Sequence, residues 1–162
     1  MNRTIVALVE DKPGVLNRIA SMFRRRGFNI ASLAVGHSEK IGYSRMTFVV
    51  EGDEFTIDQV TKQLNSLIDV ITVSELEDNK IVARELAIIK VATTKANRAE
   101  IMQLVEIFRA NIVDVSSNSI IVEVTGEEDK IESLCSLLKP FGIKEIMRTG
   151  RVAMLRGIHE KS

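Results

Sequence analysis

The apolar positions of this chain change period along its length, and each change marks an element. Residues 4–10 are a β-branched and apolar run, which predicts a strand. Asp11, Lys12, Pro13 and Gly14 make a turn. Leu16, Ile19, Ala20 and Phe23 then recur at i, i+3, i+4 and i+7, one face of a helix. Arg24, Arg25 and Arg26 sit in its last turn, where cations suit the negative end of the macrodipole, and Gly27 stops it. A second strand runs from Phe28 to about Gly36. A polar loop over 37–42 leads to a third strand over 43–51, with Met46, Phe48 and Val50 on one face. Gly52, Asp53 and Glu54 break that strand and supply acids to a helix carrying Ile57, Val60, Leu64 and Leu67. Residues 69–76 are a fourth strand. The order β-α-β-β-α-β is the split βαβ unit, an antiparallel sheet with two helices on one face.

After a polar break the pattern repeats. Strands are predicted over 84–92, 111–116, 120–125 and 143–147. Helices are marked by Ile101, Leu104, Val105 and Phe108, and by Ile131, Leu134 and Leu138. The repeat is visible in places: MFRRRGFNIAS against IFRANIVDVSS, and VVEGDE against EVTGEE. The fold class expected is therefore α+β, two tandem ferredoxin-like βαββαβ domains. Their expected bounds are 1–76 and 84–162, with 77–83 as linker. The tail holds VAML, a short strand, and then polar residues.

The first loop carries the candidate chemistry. Pro13 is pre-set for the first helical position, and Gly14 lets another molecule approach the backbone. The free N–H groups of Gly14, Val15 and Leu16 point out of a helix N-terminus, which suits a small anion such as a carboxylate. The second copy has Thr93, Thr94, Lys95 and Ala96 there, with no glycine, so it is not expected to hold a ligand in the same way. The strand from Phe28 to Val35 is an edge strand without proline and with little charge, a template for pairing. The strand Ile5 to Val9 is apolar on both faces. Both features point to a symmetric dimer with edge strands side by side, in which Asn29 faces the loop of the other chain.

Composition narrows the classes. Apolar residues are 45% of the 162, enough for packed cores, and 22 basic residues balance 22 acidic ones. That balance gives no prior for nucleic acid or a membrane surface. Cys135 is the sole cysteine, so no intrachain disulfide forms. No apolar run approaches the ~20 residues of a membrane span, and no signal segment opens the chain, so a cytoplasmic location is expected. His37 and His159 have no partners at ligand spacing, and no metal site is expected. Cys135, beside Leu134 on an amphipathic helix, reads as a packed small apolar residue. Ser44 has no His and Asp arrangement, and no phosphate loop, dinucleotide fingerprint or acid–base pair is found, which argues against independent catalysis. An RNA-binding reading lacks strand aromatics beyond Phe48, and a transcription-regulator reading lacks a helix-turn-helix.

LVEDKPGVLNRIASMFRRRGFNIASL, then SRMT, DVITVSEL, RELAIIKV and EIFRANIVDV together resemble the small, regulatory subunits of acetolactate synthase (acetohydroxyacid synthase) over nearly the whole chain. The resemblance implies an N-terminal ACT domain for amino-acid binding and dimerisation and a ferredoxin-like C-terminal domain. It implies a non-catalytic chain without its own cofactor. The partner would be a catalytic large subunit that uses thiamine diphosphate, Mg2+ and FAD to condense pyruvate with pyruvate or 2-oxobutyrate, towards valine, leucine and isoleucine. The small subunit would raise that activity and confer feedback inhibition by valine, bound at the ACT dimer interface. Carried over here, the valine carboxylate meets the N–H groups around Gly14, Val15 and Leu16. Asp11 and groups near Asn29 and Ile30 of the neighbouring chain hold the ammonium, and Asn17 shapes the pocket. Val15, Leu16 and Ile30 form the apolar wall. The family often has Asn at the position of Asp11. Here the acid either adds charge beside the ammonium or caps the helix. The competing reading is a stand-alone ACT-type amino-acid sensor acting on another enzyme.

Overall fold

The computed structural model describes residues 2–160. It forms two compact units, one running up to Val82 and taking in the segment from Arg151, the other spanning Ala83–Gly150. Each is a split βαβ unit of the ferredoxin-like class.

In the first unit β1 (Asn2–Glu10), α1 (Val15–Arg26), β2 (Asn29–His37), β3 (Tyr43–Glu51), α2 (Glu54–Asn65) and β4 (Val70–Leu76) follow in order. The strands line up β2-β3-β1-β4, all antiparallel, which leaves β2 at an edge. The periodic apolar residues form one core. Val15, Ile19, Met22 and Phe23 of α1 and Ile57, Val60 and Leu64 of α2 pack on Ile5, Ala7, Val9, Met46, Phe48 and Val50. Phe23 stacks on Phe48 with ring centres 5.3 Å apart and meets Phe28 edge-on at 5.9 Å. Gly27 stops α1 in the left-handed region, φ 68°, which glycine alone enters without cost. There its N–H donates to the Arg24 carbonyl at 3.2 Å, and the Phe28 N–H reaches the Phe23 carbonyl at 3.0 Å. Asp53 caps α2 by accepting from the Thr56 N–H at 2.8 Å, and this bond holds its carboxyl below the usual range.

The helix α1 begins later than the proline predicts. Pro13 lies in the turn before it, and Gly14 is the cap residue with φ 86°. The left-handed cap turns the chain, so Pro13 stands outside the first helical position. Leu67, expected on α2, lies beyond its end but still packs against the core.

In the second unit β5 (Ile81–Ala92), α3 (Arg98–Ile107), β6 (Asn111–Val115), β7 (Ser119–Gly126), α4 (Glu128–Leu138) and β8 (Ile143–Arg148) repeat the order, with strands β6-β7-β5-β8. Its own core joins Ala87, Ile89 and Val91 to Ile120, Val122, Val124 and the inner faces of α3 and α4. The repeat extends to a defect: the register slips between Ile30 and Ser32 on β2 and between Ile112 and Asp114 on β6. In this unit Arg148 bridges Glu85 and Glu132, and the Glu85 carboxylate raises its guanidinium further above its ordinary range.

The stretch 77–83 is a 3-10 turn (Asp78–Lys80) followed by the start of β5, with Ile81 buried. The tail strand is present as β9 (Val152–Leu155), which pairs with β5, whose first residues belong to the first unit. The Arg156 N–H donates to the Lys80 carbonyl at 2.9 Å. The tail falls with the first unit, whereas the expected partition is 84–162; Arg151 at its start donates from its backbone N–H to Ser32 Oγ and from Nη1 to Thr4 Oγ1, each at 2.9 Å. No helix among the described residues is long and apolar enough to cross a membrane.

Candidate functional site

The loop between β1 and α1 is held from three sides. The Asp11 N–H donates to the Gly42 carbonyl at 2.9 Å, which ties the loop to the β2–β3 hairpin. The Asp11 carboxylate lies 3.1 Å from Nδ1 of His37, the last residue of β2. It forms no side-chain cap on α1, so the capping alternative for Asp11 is not realised. Lys12 pairs with Glu10 at 2.8 Å, and that carboxylate raises the Lys12 ammonium above its ordinary range.

Gly14 stands at the N-terminal end of α1. The Val15 N–H bends back to the Lys12 carbonyl at 3.4 Å, and the Arg18 N–H is the first to bond helically, to the Gly14 carbonyl at 2.9 Å. Among the described residues, the N–H groups of Leu16 and Asn17 therefore leave the helix end without protein partners. A side chain at Gly14 would place its Cβ 3.0 Å from Nη1 of Arg18. That guanidinium sits over the helix N-terminus because its Nε donates to Asp69 at 2.6 Å, and the Asp69 side chain is only 10% exposed. The main chain repeats the tie, since the Glu10 N–H donates to the Asp69 carbonyl at 2.9 Å. Partial positive charge from the backbone and the Asp69-paired guanidinium of Arg18 converge on one exposed glycine, an arrangement whose chemistry suits a carboxylate.

The predicted residues divide between two places. Asp11, Gly14, Leu16 and Asn17 are together and exposed. Val15 is with them in the chain, but its side chain is 4% exposed and packs in the core, so only its backbone reaches the loop. Ile30 likewise packs against the core. Of the wall expected from Val15, Leu16 and Ile30, only Leu16 has an exposed side chain; Val35 is also exposed, on the helix side of β2 two residues before His37. Asn29 opens β2, and its amide donates to the Glu51 carboxylate at 2.6 Å.

Asn29 and Asp11 stand at opposite ends of the sheet. Ser44 of β3 faces Val9 and His37, whereas Glu51 faces Asn2 and Asn29. The strand between them covers roughly 23 Å. One chain cannot bring both ends to a ligand the size of an amino acid. An antiparallel two-fold pairing of β2 with a copy of itself would do so, because it would set the Asn29 end of one strand beside the His37 end of the other.

The second unit closes the equivalent loop with its own side chains. The Asn97 side-chain Oδ1 accepts from the Thr94 N–H at 2.8 Å and from the Thr93 hydroxyl at 3.1 Å. Among the described residues no cluster of three or more His, Cys, Asp or Glu is placed to hold a metal ion.

Residues 5–72 match the family model for the small-subunit-like ACT domain of acetohydroxyacid synthase, and residues 84–157 match that for the small subunit of acetolactate synthase. The chain is 56% identical over 157 residues to a probable acetolactate synthase small subunit of Archaeoglobus fulgidus, covering 97% of this chain and 98% of that one. This chain belongs to the acetolactate synthase small-subunit family. It is 52% identical to the acetolactate synthase small subunit of Bacillus subtilis, over 100% of this chain and 95% of the relative. The crystal structure of the Thermotoga maritima acetolactate synthase small subunit superposes with a TM-score of 0.91 at 44% identity, over 96% of this chain and 98% of that one. The first unit is thus an ACT domain of this family. Arg18, Asp69, His37 and Val35 escaped the sequence reading. The one signal available was Arg18 placed i+4 from Gly14, a cation one turn into a helix start where acids are usual.

Proposed function

We propose that this chain is the non-catalytic regulatory subunit of acetolactate synthase, that it raises the activity of a catalytic large subunit, and that it makes the enzyme subject to feedback inhibition by valine. The catalytic partner holds the thiamine diphosphate, Mg2+ and FAD and carries out the condensation. The observation that carries the effector site is the convergence of the free Leu16 and Asn17 N–H groups and the Asp69-held Arg18 guanidinium on Gly14. They receive the valine carboxylate. Asp11 and the partner chain's β2, from Asn29 to Ile30, receive the ammonium across a homodimer interface formed by β2. Leu16 and Val35 meet the isopropyl group. A wall of two aliphatic side chains separates valine, leucine and isoleucine only modestly, since one methylene is worth about 1–3 kcal/mol. The stand-alone sensor has no observation in its favour.

Inhibition follows from linkage. Valine bound between two ACT domains stabilises one dimer geometry, and a differential affinity of about 1–3 kcal/mol shifts the partner's activity several-fold to about a hundredfold. The test is reconstitution. Acetolactate formation by the catalytic subunit is measured alone, with this chain, and with this chain plus valine, with alanine as control. Activation on mixing and inhibition by valine are expected. An unchanged rate on mixing, in a mixture that co-purifies, overturns the activating role, and activation insensitive to valine overturns the feedback role.

A further inference from the structure

The helix-free face of the first sheet carries a residue that neither its own strands nor the loop supplies. Thr4 of β1 stands opposite Val49 of β3, and Val49 stands opposite Ser32 of β2, so the three form one row across the sheet. Thr4 is fully buried and Val49 is 3% exposed. Arg151 closes this row at both ends: its backbone N–H donates to Ser32 Oγ at 2.9 Å and its Nη1 donates to Thr4 Oγ1 at 2.9 Å. The same Nη1 lies 3.7 Å from Asp78 in the turn after β4. Ser32 is the first paired residue after the register slip on β2, and Ile30 is the last before it. A bulge leaves one residue out of the ladder and bends the strand there, so the direction in which Asn29 and Ile30 continue beyond it depends on what holds the strand at the bulge.

We propose that Arg151 is a positioning residue of the effector site: it straps Ser32 to Thr4 across β3 and so fixes the Asn29–Ile30 end of β2 that a second copy reads. This rests on the effector reading above. Without the strap, β2 keeps its fold but its end must be ordered when the effector binds, and that ordering is subtracted from affinity. Coupling is reciprocal, so effector binding also tightens the segment that follows Arg151.

The test uses the full chain and the variants Thr4→Val and Arg151→Gln, with Arg151→Lys as the conservative replacement. Thr4→Val is isosteric and keeps the packing while removing the acceptor. Valine affinity by calorimetry should weaken about three- to tenfold in Thr4→Val and in Arg151→Gln, and the double variant should be no weaker than either single one. Lysine at 151 should restore part of the loss. In the unsubstituted chain, hydrogen exchange should show that valine protects amides 29–32 and 152–155 together, and Thr4→Val should uncouple the second stretch from the first. A merely structural role would lower the unfolding temperature without uncoupling the two stretches. Affinities within about twofold of the unsubstituted chain in both variants overturn the strap. An unsubstituted chain that binds no valine, alone or with its catalytic partner, overturns the effector reading and takes the strap's role with it.

Discussion

Replacement of Gly14 separates charge from space at the proposed carboxylate site. Gly14 has φ 86°, and a Cβ there would meet Arg18 Nη1 at 3.0 Å. Gly14→Ala pays the left-handed conformation, about 1–2 kcal/mol, with little further cost because the contact is the tip of a flexible side chain. For a chain of this size that lowers the unfolding temperature by roughly 2–8 °C. Gly14→Asp pays less. Asp tolerates the left-handed region better, an acid suits a helix N-terminus by about 0.3–1 kcal/mol, and its carboxylate can pair with Arg18. The Asp variant should therefore unfold at or above the temperature of the Ala variant.

Binding should follow the opposite order. A carboxylate at position 14 lies about 4 Å from the place of the ligand's carboxylate, and at an effective dielectric of about 20 this like-charge pair costs about 4 kcal/mol. That corresponds to about a thousandfold in affinity. Gly14→Ala should lose far less. Calorimetric titration with valine and thermal unfolding followed by circular dichroism, on the same three proteins, give both orders. A Gly14→Asp chain that binds valine within about tenfold of the unsubstituted one refutes the placement of the carboxylate. Equal losses in the two variants would show that space, and not charge, decides there.

Arg18→Gln should weaken valine binding and also shrink the preference for valine over valinamide, which lacks the carboxylate. Calorimetry with both ligands reads this, and a preference left intact would remove Arg18 from the site. Asp69→Asn should produce a weaker version of the same change by releasing the guanidinium. Phe23→Ala removes the ring that stacks on Phe48 and meets Phe28 edge-on, and should cost about 3–5 kcal/mol in urea unfolding. Asp53 has a lowered carboxyl pKa in the folded state, so its cap contributes fully above the unfolded value and is lost as pH falls through the folded one. The unfolding temperatures of the unsubstituted chain and Asp53→Ala should therefore differ at neutral pH and converge below about pH 4.

Much of the fold was legible because it rests on local signals. The i, i+3, i+4, i+7 spacing of Leu16, Ile19, Ala20 and Phe23 found the helix, although the face it buries is set by Val15, Ile19, Met22 and Phe23, with Leu16 left exposed. Gly27 marked the helix end because only glycine takes φ 68° freely. The plain, uncharged β2 was readable as an edge for the same kind of reason, the absence of any device that blunts it. Pro13 misled by two residues, since a left-handed Gly14 overrode the usual place of proline.

The site was half legible. Asp11, Gly14, Leu16 and Asn17 are neighbours in sequence and came out together. Arg18 and Asp69 meet across 51 residues of sequence, and nothing local says that a buried acid ahead of β4 will turn a surface arginine towards Gly14. His37 reads as a loop histidine until β2 ends beside Asp11. The tail was the least legible part. VAML states that a strand is possible but not which strand it joins; β9 pairs with β5, while Arg151 just ahead of it reaches Thr4 across 147 residues.

The central claim is that the effector site is completed only by a second copy of the chain. Mixed dimers test it most directly. A Gly14→Asp chain and an Asn29→Ala chain, carrying different tags, are mixed, exchanged and purified through both tags, and valine is titrated into the product. Each parent dimer should bind valine weakly or not at all. In the mixed dimer one site carries both lesions and the other carries neither, so half the stoichiometry of the unsubstituted dimer should return at undiminished affinity. If each site instead lay within one chain, every site in the mixed dimer would carry one lesion. No recovery of binding would then be seen, and the account would be contradicted.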